Sequence, residues 1–457
     1  MLYAVLRAMA RIALRWYYSD IQVEGIDRVP RDRPLLLAVN HPNALVDALI
    51  VADILPRRMM ITAKSTLFTN PFGGAFLRAA GVVPVQRPGD ESGDRPEGSR
   101  NLGMFRAVSS ALANGEAVLV FPEGITHDAP SLAPLKTGAA RMALRAVKSG
   151  DVPELAILPI GLTYEQKDAP RTRALVHIAE PIVMAEWKAP ADTTEAAALT
   201  SEIDARLRAV TLNYETIDDA ARAVRLVSVI AGLFDAVPRI SRVHRNLGVD
   251  AAIARRIQRL QSQHALDDDV VRAEADALLA RIDRLHAETA AHRVLVEDVE
   301  ISIAWQAAIR FLVREGGLLL IGGPVALWGW LNHWLPFRFA RTIGLRSVES
   351  AADPAMRTLV AGAVAVLAAY LLQTAVVAVV WGPLIGAAYL ISLPIAAEIN
   401  LYLNDRLRRA AQRARTFLLF RRDRDLQRSL IAELQALRAD AVKVDRALGS
   451  NDTTVAL

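Results

Sequence analysis

Short apolar runs punctuate residues 20 to 185: Pro34-Leu-Leu-Leu-Ala-Val39, Val82-Val-Pro-Val85, Ala117-Val-Leu-Val-Phe121, Leu155-Ala-Ile-Leu-Pro-Ile160 and Ala174-Leu-Val-His-Ile178. Runs of this length, bounded by polar and turn-forming residues, read as strands. Helical or turn-rich stretches separate them, which predicts an α/β region with strands alternating with helices. Gln86 to Gly103 is a polar stretch rich in Gly, Pro, Asp, Glu and Arg, and reads as a loop. The pattern changes after residue 215. No proline occurs from Arg239 to Gly323, and most of that stretch is rich in Ala, Arg, Leu, Asp and Glu. It predicts a helical domain, with Asp267 to Asp269 starting one helix and a long antiparallel hairpin as one arrangement.

Two uncharged runs follow, Gly316 to Pro336 and Leu359 to Ala397. Crossing the hydrocarbon core takes roughly 20 apolar residues, so both are membrane candidates. The second run would be about 58 Å long as one helix, too long for a single span, and Trp381-Gly382-Pro383 is its natural break. Three spans would put the basic tail opposite the catalytic domain, which the positive-inside tendency disfavours; two spans or a re-entrant pair avoid that conflict. Trp328, Trp330 and Trp334, with Asn332 and His333, fit an interfacial end. At the N-terminus, Arg7, Arg11 and Arg15 share one helical face, and Leu2, Val5, Leu6, Met9, Ile12, Leu14 and Trp16 cover much of the rest. The charge lies within the apolar stretch rather than before it. That predicts no cleavable signal, and either an amphipathic helix at a bilayer surface or a packing helix with one basic stripe. The resulting layout is 1–18 surface helix, 19–215 α/β domain, 216–315 helical domain, 316–400 membrane-embedded segments and 401–457 basic helical tail.

Charge refines this picture. The net charge is +5, which suits an anionic membrane surface or nucleic acid. The apolar runs and the acids interleaved in the basic tail favour the bilayer and argue against nucleic acid. The chain has no cysteine, which excludes disulfides, thiolate metal sites and a Cys nucleophile. There is no His-Glu-x-x-His motif and no Gly-x-x-x-x-Gly-Lys-[Ser/Thr] loop, which disfavours the metalloprotease and nucleotide-hydrolase readings. No Gly-x-Ser-x-Gly elbow is present either, so a covalent acyl-enzyme is disfavoured.

Candidate chemistry sits at strand ends. Asn40-His41-Pro42-Asn43-Ala44-Leu45-Val46-Asp47 directly follows the strand Leu35 to Val39. One helical turn past His41 could return the Asp47 carboxylate to the imidazole, the arrangement a general base needs. Phe121-Pro-Glu-Gly-Ile-Thr-His-Asp128 follows the strand at Ala117, and Pro134-Leu-Lys-Thr-Gly138 opens the next helix. Gly124 permits a positive φ or close backbone approach, Glu123 and Thr126 are polar groups held at a strand end, and a helix start near Lys136 suits an anion. Gly81-Val-Val-Pro-Val-Gln-Arg87 is a strand ending in a cation, which could grip phosphate as a planar fork. Leu158-Pro-Ile-Gly-Leu-Thr-Tyr164 reads as a buried strand.

In this order, the Asn-His motif with its downstream Asp, the strand ending in Arg87, the Phe-Pro-Glu-Gly loop and the late Pro-containing strand resemble the glycerophospholipid acyltransferase family over roughly residues 20 to 185. The lysophosphatidate branch usually places four residues between His and Asp, and Arg two residues after the loop glycine. Here five intervene, and Thr126 stands at the second position. His41-x-Asn43-x-x-Val46-Asp47, the Phe-Pro-Glu-Gly-x-Thr-His-Asp loop and Pro134-Leu-Lys-x-Gly-x-Ala are more similar to the yeast-type glycerol-3-phosphate/dihydroxyacetone-phosphate acyltransferases and their bacterial relatives.

The resemblance implies an α/β acyltransferase domain followed by a helical domain and C-terminal transmembrane helices. It implies His41 as base and Asp47 as its orienter, with Asn43 ordering the turn. Glu123, Gly124 and Thr126 fall on the acceptor side, Arg87 and Lys136 on its phosphate, and Pro159 near the acyl donor. The expected reaction is direct transfer from acyl-CoA or acyl-carrier-protein to the sn-1 hydroxyl of glycerol-3-phosphate or dihydroxyacetone phosphate, an early step toward phosphatidic acid, with no other cofactor and no metal. A lysophosphatidate acceptor and an inactive membrane scaffold are the alternatives. The Ala- and Arg-rich composition suggests a GC-rich bacterial genome, and the expected location is a bacterial inner membrane with the catalytic domain on the cytoplasmic side.

Overall fold

A computed structural model describes residues 2–55, 57–69, 74–75, 77–78, 81–85, 102–150, 152–234, 246–262, 269–346 and 354–447. The chain forms two compact units. The first is Met1–Asn213 with Arg338–Ala365, and the second is Tyr214–Phe337 with Val366–Leu457.

The first unit is built on one mixed sheet. Its strands are β1 (Asp20–Glu24), β2 (Leu35–Val39), β3 (Met59–Lys64), β4 (Val82–Val85), β5 (Ala117–Val120), β6 (Ala156–Tyr164), β7 (Arg173–Ile178) and the two-residue β8 (Ile182–Val183). Their order is β1-β7-β6-β2-β5-β3-β4, with β8 on β6. Pairing is parallel except where β6 meets β7 and β8. All five apolar runs are strands, and β1, β3 and β8 join them. Residues of β3 do not alternate cleanly, and its position between β5 and β4 makes it a strand.

Every residue of β2 is buried. Leu35, Leu37 and Val39 enter one core with Val46, Ile50 and Val51 of α2 (Ala44–Ile54). Leu36 and Ala38 enter a second core with α3 (Leu102–Ala113), α4 (Gly138–Lys148) and α5 (Glu195–Val210). A strand covered on both faces reads as an unbroken apolar run because its two-residue period then points every side chain into a core.

Helix α1 (Leu2–Tyr17) packs on α2, burying Leu14 and Tyr17 in the core that α2 shares and setting Arg7 and Arg11 against the end of α2. Arg7 Nη2 donates to the carbonyls of Asp53 and Leu55 at 3.0 and 2.5 Å, and Arg11 Nε donates to the Asp53 carboxylate at 2.5 Å. These are the last groups of α2, where unpaired carbonyls and the helix dipole attract positive charge. Val5, Met9 and Ile12 are left on the exposed side.

The second unit is helical. Helix α6 (Ile217–Phe234) packs on both α7 (Leu247–Ser262) and α8 (Asp269–Ala291), so these helices form more than a two-helix hairpin. Helices α9 (Trp305–Arg346), α10 (Pro354–Trp381) and α11 (Pro383–Arg422) are each long and apolar enough to cross a membrane. Gly382, at φ 97°, separates α10 from α11, and Pro383 then starts α11 where a missing N–H carries no penalty. Helix α11 runs without interruption from the apolar segment into the basic one, with no boundary at residue 400. His333, expected at an interface, is buried: Nδ1 lies 2.7 Å from the Gly329 carbonyl and Nε2 2.7 Å from the Tyr370 hydroxyl. The final helix, α12 (Arg424–Ala447), packs against α8.

Candidate active site

Strands β2 and β5 run parallel with Ala38 opposite Val120. His41 and Glu123 each lie three residues beyond that pair, so both loops emerge side by side at the same sheet edge. Carboxyl ends of parallel strands are where α/β sheets open a crevice. Equal offset from a common register therefore brings His41 and Glu123 together across 82 residues of chain. The His41 backbone N–H donates to Glu123 Oε1 at 2.8 Å.

The dyad forms within the β2–α2 turn. His41 Nδ1 is 3.0 Å from Asp47 Oδ2, and the Asp47 side chain is wholly buried. Asn43 N–H donates to the same oxygen at 2.8 Å. Ala44 takes φ 47° at the first position of α2, a conformation L-residues adopt at an energetic penalty and one typical of over-determined functional turns. An ionised carboxylate only accepts hydrogen bonds, so Nδ1 carries the imidazole proton and Nε2 keeps its lone pair. Burial pushes the Asp47 carboxyl up from its usual range, against the pull of hydrogen bonds from His41, Tyr164 and Asn43. The His41 ring lies flat on Phe121, with centroids 3.7 Å apart and planes at 15°. The imidazole is thus held at its edge and on its face.

Glu123 is buried, and its second oxygen is also engaged. Oε2 accepts the Ala133 N–H at 2.8 Å and lies 2.5 Å from His127 Nε2. His127 Nδ1 in turn accepts the Ala129 N–H at 3.1 Å, which places the ring proton on Nε2. In this geometry Glu123 ties the His41 loop to the 121–133 loop. Gly124 has φ 70°, and a Cβ there would lie 2.9 Å from Lys136 Nζ. Gly124→Ala should lower stability by about 1 kcal/mol through the left-handed backbone and displace the Lys136 ammonium. Thermal unfolding of the purified variant checks the first effect.

Lys136 is exposed, and its N–H donates to the Pro122 carbonyl at 2.8 Å. Thr126 is half-buried on the same loop. Asn43 is buried, with Nδ2 donating to the Tyr18 hydroxyl at 3.0 Å. Pro159 is buried in β6 opposite Ala38. Arg87 lies outside the described residues.

Several side-chain contacts around the dyad were not read from the sequence. The Asn40 side chain extends the ladder between β2 and β6: Nδ2 donates to the Leu162 carbonyl at 3.0 Å, and Oδ1 accepts the Leu162 N–H at 2.7 Å. Lys167 Nζ donates to the Pro42 carbonyl at 3.1 Å and pairs with Asp128; burial pulls its ammonium down. Tyr164, at the end of β6, donates to Asp47 Oδ1 at 2.6 Å. Its place at the carboxyl end of a strand parallel to β2 is the signal that could have found it.

Residues 20–163 match the Acyltransferase family model. An uncharacterised acyltransferase of Schizosaccharomyces pombe is 25% identical over 254 residues, covering 37% of each chain. Glycerol-3-phosphate O-acyltransferase 2 of Saccharomyces cerevisiae is 42% identical over 84 residues, 18% of this chain and 11% of that one. The mouse 1-acyl-sn-glycerol-3-phosphate acyltransferase alpha is 26% identical over 162 residues, 35% of this chain and 52% of that one. The matches thus span between about a tenth and about half of these relatives. Over residues 20–163 this chain carries an acyltransferase domain.

Proposed function

We propose that the protein transfers a fatty acyl group from acyl-CoA or acyl-carrier-protein to the sn-1 hydroxyl of glycerol-3-phosphate or dihydroxyacetone phosphate. The observation that carries the chemistry is the His41–Asp47 pair, with Nδ1 committed to a buried carboxylate and Nε2 left as an acceptor. The acceptor hydroxyl gives its proton to Nε2 as its oxygen attacks the thioester carbonyl. The C–O bond forms, and the carbonyl electrons move to oxygen. Collapse of that intermediate breaks the C–S bond, and the leaving thiolate takes the proton back from His41. Asp47 stabilises the imidazolium that exists between the two transfers.

The choice of acceptor is supported by the 42% identity to a yeast glycerol-3-phosphate acyltransferase and by Thr126 in the loop after Gly124. Lys136, with the start of α4 two residues on, is the described cation that would hold the phosphate, joined by Arg87. A Cβ added at Gly138 meets nothing within 4 Å, so that helix start has room for an anion. The match to the mouse lysophosphatidate enzyme favours the second reading, a 1-acyl acceptor.

The three apolar helices support a membrane protein, and the exposed Val5, Met9 and Ile12 of α1 support a bilayer beside the catalytic unit. The product is a lipid, and releasing it into water would cost about 0.8 kcal/mol per exposed CH₂. A bacterial inner membrane with the catalytic unit on the cytoplasmic side completes the proposal.

Membranes containing the protein should incorporate labelled glycerol-3-phosphate into lysophosphatidate with acyl-CoA or acyl-carrier-protein donors. His41→Ala should abolish the signal. Incorporation into lysophosphatidate acceptors alone would replace the acceptor and keep the mechanism. No transfer to either acceptor would reject the proposed enzyme and leave the scaffold reading.

A further inference from the structure

The proposed base depends on Asp47 staying ionised in a place that disfavours charge. Its side chain is wholly buried, and both carboxylate oxygens are engaged. Oδ2 faces His41 Nδ1 and the Asn43 N–H, while Oδ1 accepts the Tyr164 hydroxyl at 2.6 Å. Tyr164 is thus the side chain opposite His41 on the same carboxylate. Its residue lies in β6, whose parallel pairing with β2 fixes the distance between the hydroxyl and the His41 loop. The Tyr164 ring packs beside Tyr18 at 5.8 Å between centroids, and Tyr18 accepts a hydrogen bond from Asn43. Two tyrosines therefore brace the turn, but only Tyr164 touches the carboxylate.

We infer that Tyr164 is a positioning residue for acyl transfer, holding Asp47 as an oriented carboxylate by donating to Oδ1 so that Oδ2 stays on His41 Nδ1. This rests on the proposed His41 base. Without the hydroxyl, the negative charge has one fewer donor. The carboxyl then becomes easier to protonate, and a carboxylate that remains ionised concentrates its charge on the imidazolium. In either case the dyad takes up a proton at higher pH, and the apparent value belongs to the pair rather than to one residue. A hydrogen bond to a charged group typically changes a rate or equilibrium by about tenfold or more.

The test is Tyr164→Phe in the full-length membrane protein, assayed with whichever acceptor the wild type uses. Phenylalanine keeps the ring against Tyr18 and removes only the hydroxyl. The expected result is a kcat about tenfold lower at neutral pH, an acid limb of the kcat profile moved to higher pH, and an unchanged KM. The position of that limb does not depend on how much protein is folded, so a variant that only folds less well lowers the amplitude and leaves the limb in place. Tyr18→Phe, which removes no contact to Asp47, should not move it. A limb in the wild-type position in Tyr164→Phe, or an equal shift in Tyr18→Phe, overturns the inference. An inactive wild type, or a His41→Ala protein as active as wild type, would instead overturn the proposed base.

Discussion

Asp47→Asn should lower kcat by about 10³- to 10⁴-fold while leaving the first unit at least as stable as wild type at neutral pH. The amide is isosteric with the carboxylate. Its oxygen can keep the hydrogen bonds from His41 and Asn43, and its NH₂ can face Tyr164, whose hydroxyl then turns from donor to acceptor. What disappears is the negative charge that stabilises the imidazolium. The stability effect follows from burial, which raises the Asp47 carboxyl above its ordinary value. A folded state that binds this proton more tightly than the unfolded chain is penalised when the carboxyl ionises. The penalty is absent below the unfolded value of about 3.9, grows as pH rises toward the folded value, and is constant above it. Asp47→Asn removes it, so the gain over wild type should appear at neutral pH and vanish in acid. Activity and thermal unfolding measured across pH check both halves. An active Asp47→Asn enzyme would remove Asp47 from the mechanism.

Asp298→Ala should destabilise the second unit by about 3 kcal/mol. Asp298 is wholly buried in the turn between α8 and α9. Its oxygens accept Arg409 Nη1 at 2.6 Å, Arg409 Nη2 at 3.0 Å and Arg413 Nε at 3.0 Å. Both guanidiniums are mostly buried, so alanine would leave cations that neither water nor another carboxylate fully serves, apart from the contact of Arg409 with Glu297. Removing one partner of a buried pair is far more damaging than the pair is stabilising. Loss of helical signal on heating the detergent-solubilised protein reads the effect. A double replacement of Arg409 and Arg413 by Leu in the Asp298→Ala background should recover part of it, since no unpaired charge then remains. Unfolding at the wild-type temperature in Asp298→Ala would show that water already serves these groups.

How much of this was legible beforehand follows from what each pattern encodes. The unbroken apolar run Leu35 to Val39 marked a strand, and the structure covers both of its faces, which is why it is apolar at every position. Gly382-Pro383 marked the break between two apolar helices, because glycine can take the positive φ that ends one helix and proline needs no N–H at the start of the next. His41 and Asp47 could be paired because six residues and one helical turn are local geometry. The strand β3 was not legible: its residues lack alternation, and it is extended through its pairing with β5 and β4.

The direction of α1 was not legible either. Four-residue spacing shows that Arg7 and Arg11 share a face, and says nothing of what that face meets. The carbonyls ending α2 and the Asp53 carboxylate decide that, and turn Val5, Met9 and Ile12 outward. The sequence alone determined the elements and the local dyad, because hydrophobic period and turn chemistry act within a few residues. Tertiary structure alone joined Glu123 to the His41 backbone and Tyr164 to Asp47. Those contacts cross 82 and 117 residues, and they exist because β5 and β6 pair in parallel on either side of β2, a register that no stretch of chain contains by itself.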